Sequence, residues 1–549
     1  MQTWSKLIYF IRFFFSSIIY TELNNLFVFT LFNHNIFNHY IAPLSLSLAM
    51  SGGNPERGRG GGGGVGGRER TWQDWLTVLL LFLTFGPCNG ILYTMGVYQA
   101  YWVTNLGMAP TRASLISSTL FLMTCLPSPF ISLLIHKTRF RPNLMVAAAI
   151  PILTIGVLMN AYCHNFWLLL LASGVFLGPA QSLMDVTSMT AVYHYFLDEH
   201  VYLFTSIVSS GVGGGMIVFS VIFFVLEPKL GLQGIGYVQL TVAWVIFIIA
   251  ISIFTFGHKL GMKTKHEKNR IPNDRCEVCA TNGLLIKRTK CPCALHAQLL
   301  IHGEAHSGFA NDSFSKPKRR RNDSESSLVM MSRNTVLSDR SHVAADVLVK
   351  SIFTNSRFMM IVVSYAFCTS VFNTVMYHQP TRLLAFGFSL NNGAQSIAIN
   401  GFVQMVFRVT AGLLATSNRV SPFRLSELSK LALGLLTVVS TFVPYLWCQL
   451  LYMFLIGVTG AFINTTDFLL VKDCMTEGRE FGIALLFLVD GISTLIVDTL
   501  VGHLYQEIGS YNPIFKAMGA LSCIGAVLGL SAELLHKRQR RTGIPYETL

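Results

Sequence analysis

Residues 76–102 read LTVLLLFLTFGPCNGILYTMGVYQAYW, a stretch without Lys, Arg, Asp or Glu. A helix of about 20 such residues crosses the ~30 Å hydrocarbon core of a bilayer. Eleven similar segments follow, and one long polar stretch divides the series into two groups of six. The predicted spans are 76–102, 113–136, 143–163, 166–190, 201–226, 236–257, 354–377, 394–416, 429–447, 449–471, 481–504 and 512–534.

The composition agrees with this pattern. The chain has 549 residues, of which 52% are hydrophobic and only 12% charged, with a mean hydropathy of +0.51. Backbone N–H and C=O groups must be satisfied internally in lipid, so the spans are expected to be helical. The short alternating segments of a membrane β-barrel are missing from the sequence. We predict an all-α membrane protein with twelve transmembrane helices.

Basic residues occupy alternate loops, which indicates how the chain lies in the membrane. The net charge is +14, but its placement follows the positive-inside pattern rather than a nucleic-acid-binding face. The predicted cytoplasmic groups include 57–70, 259–350, 537–541 and Arg419, Arg424 and Lys430. The loop 193–200 departs from the pattern because it carries Asp198 and Glu199 and no basic residue. We expect both termini and the central loop to be cytoplasmic.

The halves and tails divide the chain as follows: a cytoplasmic tail at 1–75, a six-helix bundle at 76–257, a disordered basic loop at 258–350, a second bundle at 351–534 and a tail at 535–549. The favoured interpretation of 1–49 is a gene-model extension before a start at Met50, which opens a flexible Gly-rich segment. The alternative is an additional interfacial helix.

No cofactor is expected. The glycine run 60–67 lacks the Gly-Lys-Ser/Thr of a phosphate loop, and no nucleophile–base pair lies outside the spans, so an ATP-driven pump or an enzyme is not expected. Four thiols of the central loop are weak candidates for a zinc site, with reduced cytosolic cysteines as the simpler interpretation. They are Cys276, Cys279, Cys291 and Cys293.

Several motifs, in order, point to one family. They are Tyr93 to Tyr98 in the first span, Tyr195-Phe196 followed by the glycine-rich 211–215, Gly401 to Arg408 with Gly412, Asp490 to Ser493, and Gly502 to Tyr511. With these motifs, residues 72–534 resemble the monocarboxylate transporter family of the major facilitator superfamily. The chain is identified as a divergent member, because Asp198-Glu199-His200 replaces the family's basic residues after Tyr-Phe. The resemblance implies transport of small carboxylates at the plasma membrane, with a single-span accessory protein as a further partner.

Arg408 is the leading candidate for binding the solute. A charge within a membrane span is costly, so such a residue is a functional candidate by default, and its forked donors match a carboxylate. The resemblance gives this position the role of binding the substrate anion. The alternative is a structural ion pair with Asp490 or Asp185. Gln404 lies one turn away on the same helix face.

Four further residues complete the candidate binding site: Tyr93, Asp490, Asn89 and Asp185. The tyrosine and asparagine give the first span a polar stripe, which helix–helix packing would explain equally well. Asp467 and Asp498 lie nearer span ends and are expected to be solvated or capping. By resemblance, proton-coupled members carry an acid at Gln404 and a lysine at Tyr93, so we expect transport without that coupling.

The sequence thus predicts a facilitator of small organic anions, monocarboxylates foremost, working by alternating access. One alternative is a facilitator for aromatic amino acids or other amphipathic solutes. The other is a membrane receptor or interaction protein that does not transport.

Overall fold

The structure is a computed structural model that describes residues 72–137, 142–195, 201–259, 355–416, 421–474 and 479–542. Within these ranges the ordered elements are helical and no strand occurs. The α-helices are α1 Trp72–Asn105, α2 Pro110–Cys125, α3 Ser128–Lys137, α4 Pro142–Tyr162, α5 Phe166–Leu171, α6 Gly178–Tyr195, α7 Val201–Ser209, α8 Gly211–Lys259, α9 Ser356–Ala385, α10 Leu390–Thr416, α11 Pro422–Val439, α12 Leu446–Cys474, α13 Arg479–Ile508 and α14 Tyr511–Thr542. A π-helix, Ala172–Leu177, joins α5 to α6, and a 3₁₀ turn, Ser440–Phe442, follows α11.

Eleven ranges of the described residues are long and apolar enough to cross a membrane. One of them, Leu203–Ser252, has 50 residues, more than twice what a crossing needs. It is interrupted at Gly231, where φ is 61° and ψ is −174°, a backbone conformation that glycine adopts readily. Either arm is about 20 residues or longer, enough for its own crossing. The described residues therefore contain twelve membrane-length segments, as the sequence predicts.

Large apolar side chains remain on the outside of the bundle. Trp167, Phe130 and Val527 are among those most exposed. A contiguous apolar exterior of this kind is unusual for a soluble protein, whereas lipid accommodates it.

Glycines let neighbouring helices approach closely. Along the contact between α1 and α8, a Cβ on Gly86 would lie 3.1 Å from the carbonyl oxygen of Gly211. One turn further, a Cβ on Gly90 would lie 2.6 Å from the carbonyl carbon of Gly215. Small residues drive such backbone contacts in membrane bundles, where van der Waals packing replaces the hydrophobic effect. The glycine-rich segment 211–215 is therefore a packing surface.

Several helix pairs join the first six spans to the last six, and three of them are closely packed at a glycine. In each, a glycine of one helix faces a residue of the other: Gly96 of α1 against Tyr377 of α9, Gly502 of α13 against Ser114 of α2, and Gly213 of α8 against Gly401 of α10. These contacts position the polar side chains described below.

Two sequence expectations need correction in the second half. Lys430 lies in α11 rather than in a loop, and Asp467 is neither solvated nor a cap. Both side chains are fully buried, and the Lys430 Nζ lies 3.2 Å from Asp467 Oδ1 and 2.8 Å from Glu427 Oε1. A buried charge is tolerated only with such partners, so this cluster fixes α11 against α12.

Some predictions fall outside the described residues. These are residues 1–71 and 543–549 of the tails, residues 260–350 of the central loop with its four zinc-candidate cysteines, and Phe196 of the Tyr-Phe motif. They stay predictions.

Gly215→Ala tests the close packing of α1 on α8. The new methyl group would meet the backbone of Gly86 directly, and overpacking of this kind costs about 1–3 kcal/mol. We expect a clearly lower melting temperature for the detergent-purified protein. Gly214→Ala is the matched control, because its methyl group would meet side-chain atoms and no backbone: the ring end of Phe82 at 3.2 Å and the sulfur of Met405 at 3.9 Å. Equal effects of the two substitutions would contradict the packing role.

Candidate solute-binding site

The candidate residues come from four helices and both halves. Helix α1 supplies Asn89 and Tyr93, and α6 supplies Asp185, all from the first half. Helix α10 supplies Gln404 and Arg408, and α13 supplies Asp490, from the second half. All six lie inside membrane-length helices.

Arg408 is buried in the protein and does not face lipid. Its side chain is 5% exposed, and its guanidinium donates three hydrogen bonds. Nη2 and Nε donate to Gln404 Oε1, at 2.8 and 3.2 Å. Nη1 donates to the backbone oxygen of Ser209, at 3.2 Å.

The bond to Ser209 crosses from one half to the other. Ser209 is the last residue of α7, and carbonyls in the last turn of a helix lack an intrahelical partner. The break between α7 and α8 thus provides an acceptor for the charge on α10. Arg408 lies at the contact between the halves.

Gln404 holds the arginine from the same helix. Besides accepting from Arg408, it donates through Nε2 to Asn400 Oδ1, at 2.8 Å, and contacts the sulfur of Met216 across the interface, at 3.6 Å. The amide is therefore fixed with its oxygen toward the guanidinium. The one-turn spacing seen in the sequence places the two side chains together.

Neither predicted aspartate forms an ion pair with Arg408. In the part of the chain that the structure describes, the three hydrogen bonds of its guanidinium all go to uncharged groups. Asp185 accepts a hydrogen bond from Asn89 Nδ2, at 2.8 Å, and influences Arg408 only electrostatically. Asp490 accepts from Asn373 Nδ2 at 3.0 Å and from Thr494 Oγ1 at 3.4 Å.

Tyr93 belongs to the same polar centre. It is 6% exposed and interacts electrostatically with Arg408 and with Asp490.

The guanidinium retains unused donors. Arginine has five N–H groups in a planar fork, and three of them make the bonds above. Within the described residues, one N–H on each terminal nitrogen has no hydrogen-bond partner. This pair of donors matches the two oxygens of a carboxylate.

No metal or cofactor site accompanies these residues. Among the described residues, no group of three or more His, Cys, Asp or Glu side chains is arranged to hold a metal ion.

Sequence reasoning missed a second polar cluster. Asp498, expected to be solvated or capping, is fully buried, and its Oδ1 lies 3.0 Å from Nε2 of His378. An ionisable residue inside a span is a functional candidate by default, but His378 follows the predicted end of its span at 377, whereas α9 continues to Ala385. Its partner could not be identified before α9 and α13 were known to be neighbours.

Comparison with known proteins identifies the fold. A sequence model described as Major Facilitator Superfamily matches residues 75–477. A curated MFS-type transporter of Gibberella zeae is 24% identical over 182 residues, which is 32% of this chain. The chain spans only 40% of that relative's length.

The fold is also similar to a solved structure. The crystal structure of tetrameric PepTSo2 matches with a TM-score of 0.55 at 16% identity, over 85% of this chain and 99% of that chain. At this identity the likeness concerns the fold alone.

Proposed function

Because the chain belongs to the major facilitator superfamily, we propose that it moves small organic anions, monocarboxylates foremost, across the membrane by alternating access. As predicted from the sequence, it is a multi-pass membrane transporter and not an enzyme. The carboxylate as solute, the plasma membrane as location and the cytoplasmic placement of both termini are parts of this proposal.

The observation that carries it is the pair of unused donors on Arg408. A guanidinium cannot lose its proton under ordinary conditions, and a cation held in a low-dielectric interior gains from a negatively charged partner. No protein carboxylate takes that position among the described residues. A solute carboxylate would therefore complete the charge balance of the site.

The surrounding residues suit this role. Gln404 keeps the guanidinium oriented through two hydrogen bonds. Asn89 holds Asp185 through a direct hydrogen bond, and Asn373 and Thr494 do the same for Asp490. These partners keep the acids from closing on Arg408, so the cation stays available.

The location of the site suits a transporter whose two six-helix halves move against each other. Solutes of this fold class bind near the midplane between two bundles that rock against each other. Arg408 lies on α10 and contacts Ser209 of the first half, so a solute bound there would touch both moving parts. The loop 258–350 would serve as the tether between them.

A second solute class is favoured by one feature. Asp185 is bonded to Asn89 of α1 and Asp490 is buried on α13, so the interior of the bundle offers groups of both signs. A zwitterion such as an aromatic amino acid would place its carboxylate on Arg408 and its ammonium on an aspartate. Competition between lactate or pyruvate and aromatic amino acids for uptake would distinguish the two classes.

Arg408→Gln and Arg408→Lys test the binding role. A hydrogen bond to a charged group contributes about 1.5–3 kcal/mol, and every 1.4 kcal/mol changes affinity about tenfold. We expect tracer uptake of carboxylates to fall about tenfold or more in both, because lysine keeps the charge but lacks the fork. Surface expression should persist.

Arg112→Gln is the control, since Arg112 is exposed at a helix end. Full uptake by both Arg408 variants would exclude carboxylate binding at this position and favour a different solute.

Proton coupling is expected to be absent at the positions where the family has it. The Gln404 amide does not titrate, and Tyr93 replaces the lysine of the resemblance. We expect an imposed pH gradient not to raise the final level of a carboxylate in proteoliposomes. The final carboxylate level in vesicles that carry Arg408→Gln measures passive permeation of the free acid and is subtracted. Accumulation above that correction would mean that protons are carried with the solute.

A further inference from the structure

A buried imidazole and a buried carboxylate lie together at one end of the bundle. His378 of α9 and Asp498 of α13 are both 0% exposed, and Nε2 lies 3.0 Å from Oδ1. Each residue is about two to three turns from the end of its helix, on the side where α1 and α2 also meet. Both belong to the second half.

Two side chains of the first half close over this pair. Ser117 Oγ of α2 lies 3.1 Å from Asp498 Oδ2 and 2.9 Å from Gln99 Oε1, and its single hydroxyl proton can be donated to either acceptor. Gln99 of α1 places its Nε2 3.3 Å from His378 Nδ1. We call His378, Asp498, Gln99 and Ser117 the His–Asp cluster. The contacts of Ser117 with Asp498 and of Gln99 with His378 cross between the halves and exist only while the two halves are together at this end.

Further contacts seal the same end. Thr111 of α2 donates to Gln506 Oε1 of α13 at 2.8 Å, nearer the helix ends. A Cβ on Gly96 of α1 would lie 3.0 Å from the Cα of Tyr377. Helix packing therefore keeps water from the His–Asp cluster in this arrangement.

The charged groups around His378 are few within the described residues. Arg382, one turn further along α9, is fully buried and donates to the hydroxyl and to the backbone oxygen of Ser440. Asp498 faces His378 from α13, and Tyr511 of α14 places its hydroxyl 3.3 Å from Nδ1. Tyr511 in turn stacks on Tyr505 of α13. Helices α1 and α2 present the uncharged Gln99 and Ser117. The charge of the cluster is thus set by one imidazole and one carboxylate.

We propose that the His–Asp cluster is a proton-binding latch, which holds this end of the two halves closed when the pair carries a proton and lets it open when the proton leaves. The latch is separate from the positions where the family binds its coupling proton. It rests on the chain being a transporter of two moving halves, and it does not depend on which solute is carried.

The direction follows from charge. With a neutral imidazole and an ionised carboxylate, the pair carries one net negative charge, which is costly to keep away from water. With one added proton the pair is neutral or internally paired, and burial is tolerated. Opening lets water solvate the carboxylate, so loss of the proton favours the open end. Histidine changes charge within the physiological range, about pH 5 to 8.

Distances between spin labels test this without any solute. Asn105→Cys on α1 and Glu507→Cys on α13 place labels at exposed positions on opposite halves at this end. The full-length chain, with its other cysteines replaced, would be measured in lipid nanodiscs by pulsed electron resonance. We expect the ratio of long to short distances to rise with pH, by at most about tenfold per pH unit, the limit for one proton.

Two substitutions are expected to change the distance between the spin labels in opposite directions. His378→Gln leaves Asp498 without its cationic partner and is expected to favour the long distance at every pH in this range. Asp498→Asn removes the charge that must be hidden and is expected to favour the short distance throughout. His503→Gln, exposed on α13, should keep the wild-type response.

A wild type without a pH response would overturn the latch. So would a response that survives in either His378→Gln or Asp498→Asn, or one that His503→Gln abolishes. If one variant fails to fold, the other decides. A carrier specific for amino acids would fail the carboxylate tests above and still pass this one.

Discussion

Every charge inside this bundle needs a compensating group supplied by the protein, because hydrocarbon supplies none. Three arrangements among the described residues show how the protein meets that need. Lys430 is paired with Glu427 and Asp467 within the second half. His378 is paired with Asp498 at one end of the contact between halves. Arg408 has only amide and carbonyl oxygens, with donors left over. The first arrangement stabilises the fold, the second can gain or lose a proton, and the third leaves a cation with donors for an anion.

Close helix packing places these groups where they act. The glycines of α1 and α8 allow backbone contact, which brings Asn89 and Tyr93 of α1 toward the centre. Glycine contacts between α8 and α10 do the same for Gln404 and Arg408. The motif glycines therefore contribute to function indirectly, by setting how near the polar side chains of different helices come to each other.

Segment lengths and hydropathy were enough to predict the all-helical membrane fold and its twelve segments. Each span must match the thickness and the low polarity of the hydrocarbon core of the bilayer. The depth at which a single residue lies within the membrane-spanning bundle was less predictable. Lys430 was counted with the basic loop residues because it lies at the start of the predicted span 429–447, whereas α11 begins at Pro422. Asp467 and Asp498 are near span ends in the sequence, but their partners come from other helices. Pairing across helices depends on tertiary contacts that no local pattern contains.

The hydrogen bond from Arg408 to Ser209 has a consequence for the empty carrier. It ties the guanidinium to the backbone of the opposite bundle when nothing else neutralises that charge. An incoming anion would draw the positive charge toward itself and weaken this tether. A transporter with solute bound would then change conformation more readily than an empty one. Exchange of solute across the membrane would therefore be faster than net efflux, and solute on the opposite side would speed the return of the binding site.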